Sequence, residues 1–391
     1  MNADRLTSAA DEQGDGSNPV AYLIVVRKGP TWDLNDIEPY CRLLSRRFTG
    51  EVWAYGSYDA DTVVGRVRLR VVAERPFQKV ANWLRFARRV RQWAKQLRAA
   101  RPDRLAVVAL EPFAGGPLGL YVARRVRGVL ICEVNGVYAS RHNTANTSMA
   151  LVRSLRVLAR RGVGAFVLHR ATAVRLLFAG QLKGFVRLPG RVITRQFFEI
   201  TNLLAFRPGA EEPIILGAGF PFRVKGFDLL CQAFSRISDW YPEWKLVLIG
   251  HRVPEALVEA GFVHPRIEGH PGVKQPQLAD WVARCAIFAL PSRTEAMGRV
   301  LVEAGAAGKC RLATRVDGIP TVIENGVDGV LVDAESVDQL AQALEQLMRD
   351  ASLRQRLGQA AKRRVERDFS DEAYLGHYAE LVSVALERGV A

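Results

Sequence analysis

The sequence has little cysteine and no long apolar run. Its five cysteines are scattered along 391 residues, with no C-x-x-C pair or Cys/His cluster, and so indicate neither a disulfide framework nor a zinc site. The apolar stretches are too short to span a bilayer, and residues 1–18 lack the apolar segment of a secretory signal. We therefore expect a cytoplasmic protein, soluble or peripheral at the inner face of the membrane, with a disordered tail at residues 1–18.

Acidic residues are scarce in the first half of the chain. Residues 1–205 hold 33 Lys and Arg against 15 Asp and Glu, an excess of 18 positive charges, whereas the remainder holds 22 against 25. A negatively charged partner should therefore meet the first half. An anionic membrane surface is one such partner. Nucleic acid is a less favoured one, and is not expected, because the chain has no aromatic-basic ribonucleoprotein motif, zinc finger or recognisable recognition helix.

Short apolar strands alternate with helical patterns in two separate runs. The first run places strands at residues 21–26, 51–55, 105–110, 129–134 and 165–169, and the second at residues 214–217, 245–250, 286–290, 309–314 and 329–332. This alternation predicts two doubly wound parallel sheets, with a ligand cleft at the carboxyl ends of their strands. We expect one domain at residues 19–205, a second at 206–375, and a last helix at 376–391 that packs back on the first domain.

The most informative pattern is a buried strand followed by a polar loop and a helix. Residues 288–304 read FALPSRTEAMGRVLVEA, so that the strand ends at Pro291 and the helix begins near Gly298 or Arg299. Backbone amides that lead into a helix N-terminus favour an anion such as a diphosphate. Glu295 on the loop and Glu303 in the helix can reach one ligand from different positions.

Glu295 and Glu303 form an E-x7-E pair that resembles the donor-binding signature of glycosyltransferase family 4, the glycosyl transferases group 1, and its GT-B relatives. Residues 317–329, DGIPTVIENGVDG, are similar to the loop and strand that follow this signature, and residues 217–225 resemble the glycine-rich first turn with its phosphate-binding lysine. The resemblance covers the second half of the chain. It implies a GT-B fold, in which two Rossmann-like domains face each other, the first binding the acceptor and the second the nucleotide sugar.

The resemblance also implies a retaining, metal-independent glycosyltransferase with no cofactor and a UDP- or GDP-type donor. Glu303 would accept hydrogen bonds from the ribose and Glu295 from the sugar, while Lys225 would neutralise the diphosphate. Lys225, Glu295 and Asn135 are therefore the expected catalytic residues. The expected donor-binding residues are Glu303, Arg223, Gly219, Ala296, Met297, Gly298 and Val300.

Two departures concern the cation and the acceptor side. An arginine that the family commonly has before its lysine is replaced by Gly219, so Arg223 is the alternative cation. The family's histidine is replaced by Asn135, which can hydrogen-bond a sugar hydroxyl but cannot act as an acid or base near neutral pH. The acceptor is not identified by the sequence; polysaccharide, glycolipid and secondary-metabolite pathways all fit. A nucleotide-sugar hydrolase or epimerase of the same fold is the alternative activity.

The segment 79–104 is basic and amphipathic. Its apolar residues recur at helical spacing, between arginines and lysines, at Val80, Trp83, Ala87, Val90, Trp93, Ala94 and Leu97. Such a helix can lie on an anionic membrane. It can equally be a scaffold helix that packs its apolar stripe on the sheet and leaves its charges in solvent.

Overall fold

The computed structural model describes residues 21–32, 34–75, 78–100, 104–139, 150–199 and 201–389, so the predicted tail at residues 1–18 lies outside the described part. Two β-sheets organise the chain. The first contains β1 (Tyr22–Trp32), β2 (Thr49–Gly56), β3 (Ala60–Val64), β4 (Val67–Ala73), β5 (Leu105–Leu110), β6 (Val129–Glu133), β7 (Ala173–Leu176) and β8 (Ile193–Gln196). Their order is β3-β4-β2-β1-β5-β6-β7-β8, and every pair is parallel except β3 with β4.

The second sheet is parallel throughout. It contains β9 (Glu212–Ala218), β10 (Lys245–Ile249), β11 (Ile267–His270), β12 (Cys285–Leu290), β13 (Cys310–Thr314) and β14 (Val330–Val332). The order β11-β10-β9-β12-β13-β14 reverses direction between β9 and β12. In open α/β sheets this reversal marks the crevice where ligands bind, at the carboxyl ends of the two strands. The predicted pair of doubly wound parallel sheets, the GT-B arrangement, is confirmed.

Helices cover both faces of the first sheet. They are α1 (Leu34–Leu44), α2 (Lys79–Ala100), α3 (Gly116–Val126) and α4 (Ala150–Leu168). Because side chains alternate along a strand, Ile24 and Val26 of β1 pack with α2, α3 and α4, whereas Leu23 and Val25 face the opposite way, with α1.

The remaining helices lie between and after the strands of the second sheet, and the last of them packs on the first sheet. They are α5 (Phe227–Ile237), α6 (Val253–Glu259), α7 (Gln275–Arg284), α8 (Arg299–Ala306), α9 (Ile319–Val322), α10 (Val337–Arg349), α11 (Ala351–Asp368) and α12 (Asp371–Arg388). Helix α12 contacts β5, β6 and β7. Its Tyr378 hydroxyl donates a 2.8 Å hydrogen bond to Glu133 on β6.

The strand predicted at residues 165–169 is wrong, because these residues belong to the end of α4 and the following turn. Gly164, Val167 and Leu168 are buried while Phe166 is exposed, which is the three- and four-residue spacing of a helix rather than the alternation of a strand. The strand itself lies a few residues later, at β7.

Helix α2 supports the scaffold interpretation of its apolar stripe. Ala87, Val90 and Trp93 are buried against the first sheet, and the Trp93 indole donates a 3.0 Å hydrogen bond to Glu51. These side chains are therefore not available to enter a lipid surface. None of the helices in the described residues has the length and apolarity needed to cross a bilayer.

Candidate functional site

The predicted signature loop lies at the carboxyl end of β12. All six residues of this strand are buried, and the loop that follows it reaches α8 through Gly298, whose φ of 77° is left-handed. The helix begins at Arg299, as predicted, and the half-buried Val300 occupies its first turn. The loop therefore sits beside the reversal point of the second sheet.

Glu303 occupies the second turn of α8 and is only 4% exposed. Burial raises the pKa of its carboxyl group, and Arg299 partly opposes that shift. Its carboxyl oxygens form no hydrogen bond with any part of the chain that the structure describes. Since buried polar groups almost always have a partner, Glu303 is an acceptor available to a ligand.

Lys225 and Glu295 are in direct contact. The Lys225 ammonium donates to Glu295 Oε2, and the two side chains are only 17% and 13% exposed. The Ser292 hydroxyl also donates to Glu295 Oε2, at 3.5 Å. The structure thus brings together two of the three residues predicted to be catalytic, although they lie 70 positions apart in the sequence.

Asp317 fixes the shape of the signature loop. Its Oδ2 accepts hydrogen bonds from the Thr294 hydroxyl at 2.6 Å and from the Glu295 amide at 3.1 Å, and the Gly318 amide donates to the Glu295 carbonyl at 3.0 Å. The next three amides, those of residues 296–298, donate to no acceptor within the described residues. Backbone N–H groups that precede a helix and have no acceptor of their own are suited to binding a phosphate oxygen.

Two glycines allow the lysine turn to approach the strand ends closely. A Cβ on Gly219 would lie 2.9 Å from Lys225 Cε, and a Cβ on Gly226 would lie 1.9 Å from the Pro291 carbonyl oxygen. The predicted donor residue Gly219 therefore makes room for the Lys225 side chain. Gly226, which has no side chain, lets the lysine turn pack directly against the signature loop.

We expect Gly226→Ala to weaken nucleotide binding, because the new Cβ must push Pro291 and Lys225 apart. Gly261→Ala is the matched control, since Gly261 has a similar left-handed φ of 75° but no atom within 4 Å of its would-be Cβ. Both variants should lose about 1–2 kcal/mol of folding free energy to backbone strain, and Gly226→Ala should lose more because its Cβ also clashes with Pro291. Only Gly226→Ala should lose affinity for UDP or GDP in calorimetry, and equal affinities in the two variants would contradict this role.

The structure does not join Arg223 to the Lys225–Glu295 pair. Its side chain is 86% exposed, and it lies 3.9 Å from Asp228. The neighbouring Arg293 is instead held in place, donating to both carboxylate oxygens of Asp228 at 2.7 and 3.0 Å and to Glu335. Arg223 is thus exposed to solvent, and its donor contact stays a prediction.

Asn135 lies at the carboxyl end of the first sheet, beside a buried arginine. Arg175 is 0% exposed; its Nη2 donates to Asn135 Oδ1 and, at 2.7 Å, to Glu133. Burial opposes the charge of Arg175, but Glu133 and other nearby acidic groups raise its pKa above the ordinary value. The Asn135 carbonyl is therefore engaged, while its amide nitrogen remains as a donor for a ligand.

Glu111 is a further residue of this site that the sequence patterns above did not single out. It follows β5 directly, has a left-handed φ of 66°, and accepts a hydrogen bond from the Tyr138 hydroxyl. Burial, together with the charge of Glu199, raises the pKa of Glu111 to about 7. A strained, perturbed carboxyl at a strand end is typical of functional sites. The available signal was an acidic residue placed immediately after a buried strand.

The two domains meet beside the signature loop. The amide of Glu199, near the end of the first domain, donates to Met297 Sδ at 3.4 Å. A Cβ on Gly318 would lie 3.0 Å from the ring of Phe178. Glu199 also acts on the pKa of Glu111, so it connects the first-sheet cluster with the second-sheet loop.

A metal site needs several His, Cys, Asp or Glu side chains close together. In the described ranges, no group of three or more such side chains could hold an ion.

A known family model matches the second domain. Residues 205–364 match the family model described as glycosyl transferases group 1. The chain is 36% identical over 181 residues to D-inositol 3-phosphate glycosyltransferase of Xylanimonas cellulosilytica, an alignment that covers 44% of this chain and 43% of that relative. It is 29% identical over 182 residues to the lipopolysaccharide core biosynthesis glycosyltransferase LpsE of Rhizobium meliloti, covering 44% and 51%. The chain thus spans only about half or less of these relatives.

Solved structures resemble the whole chain. Sucrose-phosphate synthase from Thermosynechococcus elongatus superposes with a TM-score of 0.69 at 17% identity, covering 92% of this chain and 98% of that one. Anabaena HepE in complex with UDP and glucose superposes with a TM-score of 0.68 at 15% identity, covering 93% and 99%. The fold is therefore that of GT-B glycosyltransferases, and the resemblance of the second domain to the glycosyl transferases group 1 is confirmed.

Proposed function

We propose that this protein is a retaining glycosyltransferase that moves a sugar from a nucleoside-diphosphate donor to an acceptor hydroxyl. The observation that carries the proposal is the buried carboxyl of Glu303, which has no hydrogen-bond partner among the described residues and lies on the helix that follows the Glu295 loop. A ribose offers two hydroxyl donors to such a carboxylate, and a diphosphate offers its charge to the lysine. The group 1 family of the second domain supports this assignment.

The proposed chemistry depends on charge that develops during the reaction. As the bond between the sugar and the diphosphate breaks, negative charge grows on the leaving oxygen. Lys225 and the amides of Ala296, Met297 and Gly298 stabilise that charge because they are fixed in place before reaction. Glu295 orients both the sugar hydroxyls and the lysine. No metal ion is needed for this step, so donor turnover should persist in a chelator such as EDTA.

The donor is proposed to carry a UDP- or GDP-type nucleotide. Anabaena HepE, which shares this fold, was solved in complex with UDP-glucose, and this makes UDP-glucose the first donor to test. Asn135 and Glu111 lie at the carboxyl end of the first sheet, where they would face the acceptor. The protein would work in the cytoplasm, with its basic first domain against an anionic membrane.

We expect Glu303→Gln to weaken UDP or GDP binding by about 10- to 100-fold, because hydrogen bonds to a charged group contribute about 1.5–3 kcal/mol. Calorimetry with both nucleotides measures this. Glu366→Gln is the control, since this glutamate is exposed on α11, where it pairs with Lys362 of the same helix. Unchanged affinity in Glu303→Gln, for a wild type that binds either nucleotide, would remove the ribose role.

Transfer is distinguished from hydrolysis or epimerisation by the fate of the donor. With UDP-glucose, a transferase should release UDP faster when a polyol or glycoside acceptor is supplied, and the sugar should appear on that acceptor with its anomeric configuration retained. Release of free sugar at a rate that no acceptor changes would favour the hydrolase. NMR of the anomeric proton reads both outcomes.

A further inference from the structure

We propose that α2, α3 and α4 form one basic surface that docks the protein on an anionic lipid membrane, with α4 supplying the apolar contacts. The proposal stands independently of the reaction assigned to the cleft. It differs from the sequence-based hypothesis in its apolar residues, because Trp93 of α2 is buried and Trp83 is half-buried.

The three helices lie side by side on the same face of the first sheet. Helix α3 contacts α2 on one side and α4 on the other. Buried residues of all three, among them Val90, Val122 and Val167, pack in one core with the sheet. Their outward faces therefore form a single continuous layer, broad enough to meet a planar partner.

The helices of this layer contain no acidic residue, and Asp59, between β2 and β3, pairs with Arg89 on α2. The three helices together hold 13 Lys and Arg and no Asp or Glu, whereas α12 on the opposite face contains four acidic residues. Over residues 75–198 there are 24 Lys and Arg and only three acids, and one of these acids, Glu133, is buried against Arg175. The excess of 21 positive charges exceeds that of the whole chain, so the field of the molecule is concentrated here.

Large apolar side chains are exposed between these charges. Six of the 14 exposed large hydrophobic residues within the described ranges lie on α2 and α4, and they are Val80, Leu84, Val157, Leu158, Val163 and Phe166. Leu158 is 67% exposed and Phe166 is 49% exposed. A groove of about 400 Å³ lies between α3 and α4, lined by Leu120, Tyr121 and Phe166 and edged by Arg124 and Arg125. Cations around exposed aliphatic and aromatic groups are what an interfacial membrane helix requires.

Nucleic acid fits this surface less well. Stacking on bases needs free aromatic faces, but Arg91 lies 5.3 Å from the ring centre of Tyr121 and Arg170 lies 3.8 Å from that of Phe166. Exposed leucine and valine side chains would make no favourable contacts with a charged phosphate backbone. A second copy of the chain fits less well still, because a symmetric contact would set two strongly basic faces against each other.

The experiment is vesicle co-sedimentation of the full chain. Vesicles of phosphatidylcholine alone are compared with vesicles that also contain phosphatidylglycerol. We expect binding to the second kind only, and weaker binding as salt is raised. Leu158→Ser with Phe166→Ser should lower the partition coefficient by about tenfold or more, because two apolar side chains no longer enter the lipid. Val258→Ser with Val263→Ser is the control, since both residues are highly exposed in the second domain.

The role of charge is tested separately, with two double variants that change the net charge of the protein by the same amount. Arg124→Glu with Arg161→Glu should abolish binding to the anionic vesicles, whereas Arg42→Glu with Arg349→Glu, at exposed sites on other elements, should retain it. Circular dichroism and UDP binding show that each variant is folded. No binding by the wild type, equal losses in the patch and control variants, or tighter binding to DNA with the same residue dependence would each overturn the proposal.

Discussion

Replacing Lys225 with methionine should lower turnover of the donor about 100- to 1,000-fold, the usual effect of removing one fixed group that stabilises charge in the transition state. Methionine keeps the length and apolar stem of lysine but loses its ammonium group. The side chain is only 17% exposed, so water cannot readily replace that charge. The rate of UDP release from UDP-glucose, or of GDP from a GDP-sugar, is the measurement.

Lys245→Met is the matched control for this change. Lys245 also forms an ion pair, donating to Glu268 at 3.0 Å, but it begins β10 and does not reach the signature loop. Its loss should leave turnover unchanged. Glu295→Gln should mainly lower turnover, while UDP affinity changes little, because the glutamate acts on the sugar. If Lys225→Met turns the donor over as fast as Lys245→Met, the lysine has no role in stabilising the leaving group.

The second domain was predictable because its signals are local. A fully buried strand, a polar loop and a glycine before a helix are contiguous in the sequence, and β12, the signature loop and α8 lie where that pattern put them. What the pattern could not give is the direct contact between Lys225 and Glu295. That contact depends on how closely Gly226 lets two separate loops approach.

The first domain was harder because its strands carry charge. In β4, Leu69 and Val71 are buried. The intervening Arg70 forms an ion pair with Glu51 on the neighbouring β2, with 2.6 Å between the charged atoms. Strand β7 contains Arg175, whereas the end of α4 is more apolar, so the sequence pattern predicts the strand at residues 165–169 instead. Local hydrophobicity cannot show that a charge will be neutralised by a residue distant in the sequence.

Asn135 can be predicted from its place after β6, but its surroundings cannot, because they depend on contacts between residues distant in the sequence. Glu133 is held by Arg175 on β7 and by Tyr378 on α12, which is 245 positions away along the chain. These contacts fix the end of β6, from which Asn135 projects. The proposed acceptor side is thus built partly by α12.

Removing the carboxylate of Glu133 should therefore be strongly destabilising. In Glu133→Ala the guanidinium of Arg175 stays fully buried without its charged partner, a change that typically costs about 3–5 kcal/mol. Glu38→Ala breaks the exposed pair with Arg42 and should cost less than about 1 kcal/mol. Urea unfolding followed by circular dichroism measures both, and the midpoints are compared because a two-domain chain need not unfold in one step.

The Arg175→Met variant tests whether the instability of Glu133→Ala comes from the unpaired charge or from lost packing. If the charge left behind is the cause, Glu133→Ala should cost less in the Arg175→Met background than in the wild type, with a coupling energy above about 1 kcal/mol. Additive losses would mean that the two residues contribute separately. The unstable Glu133 variant should bind nucleotide normally while it remains folded, since the proposed ribose and diphosphate contacts belong to the second domain.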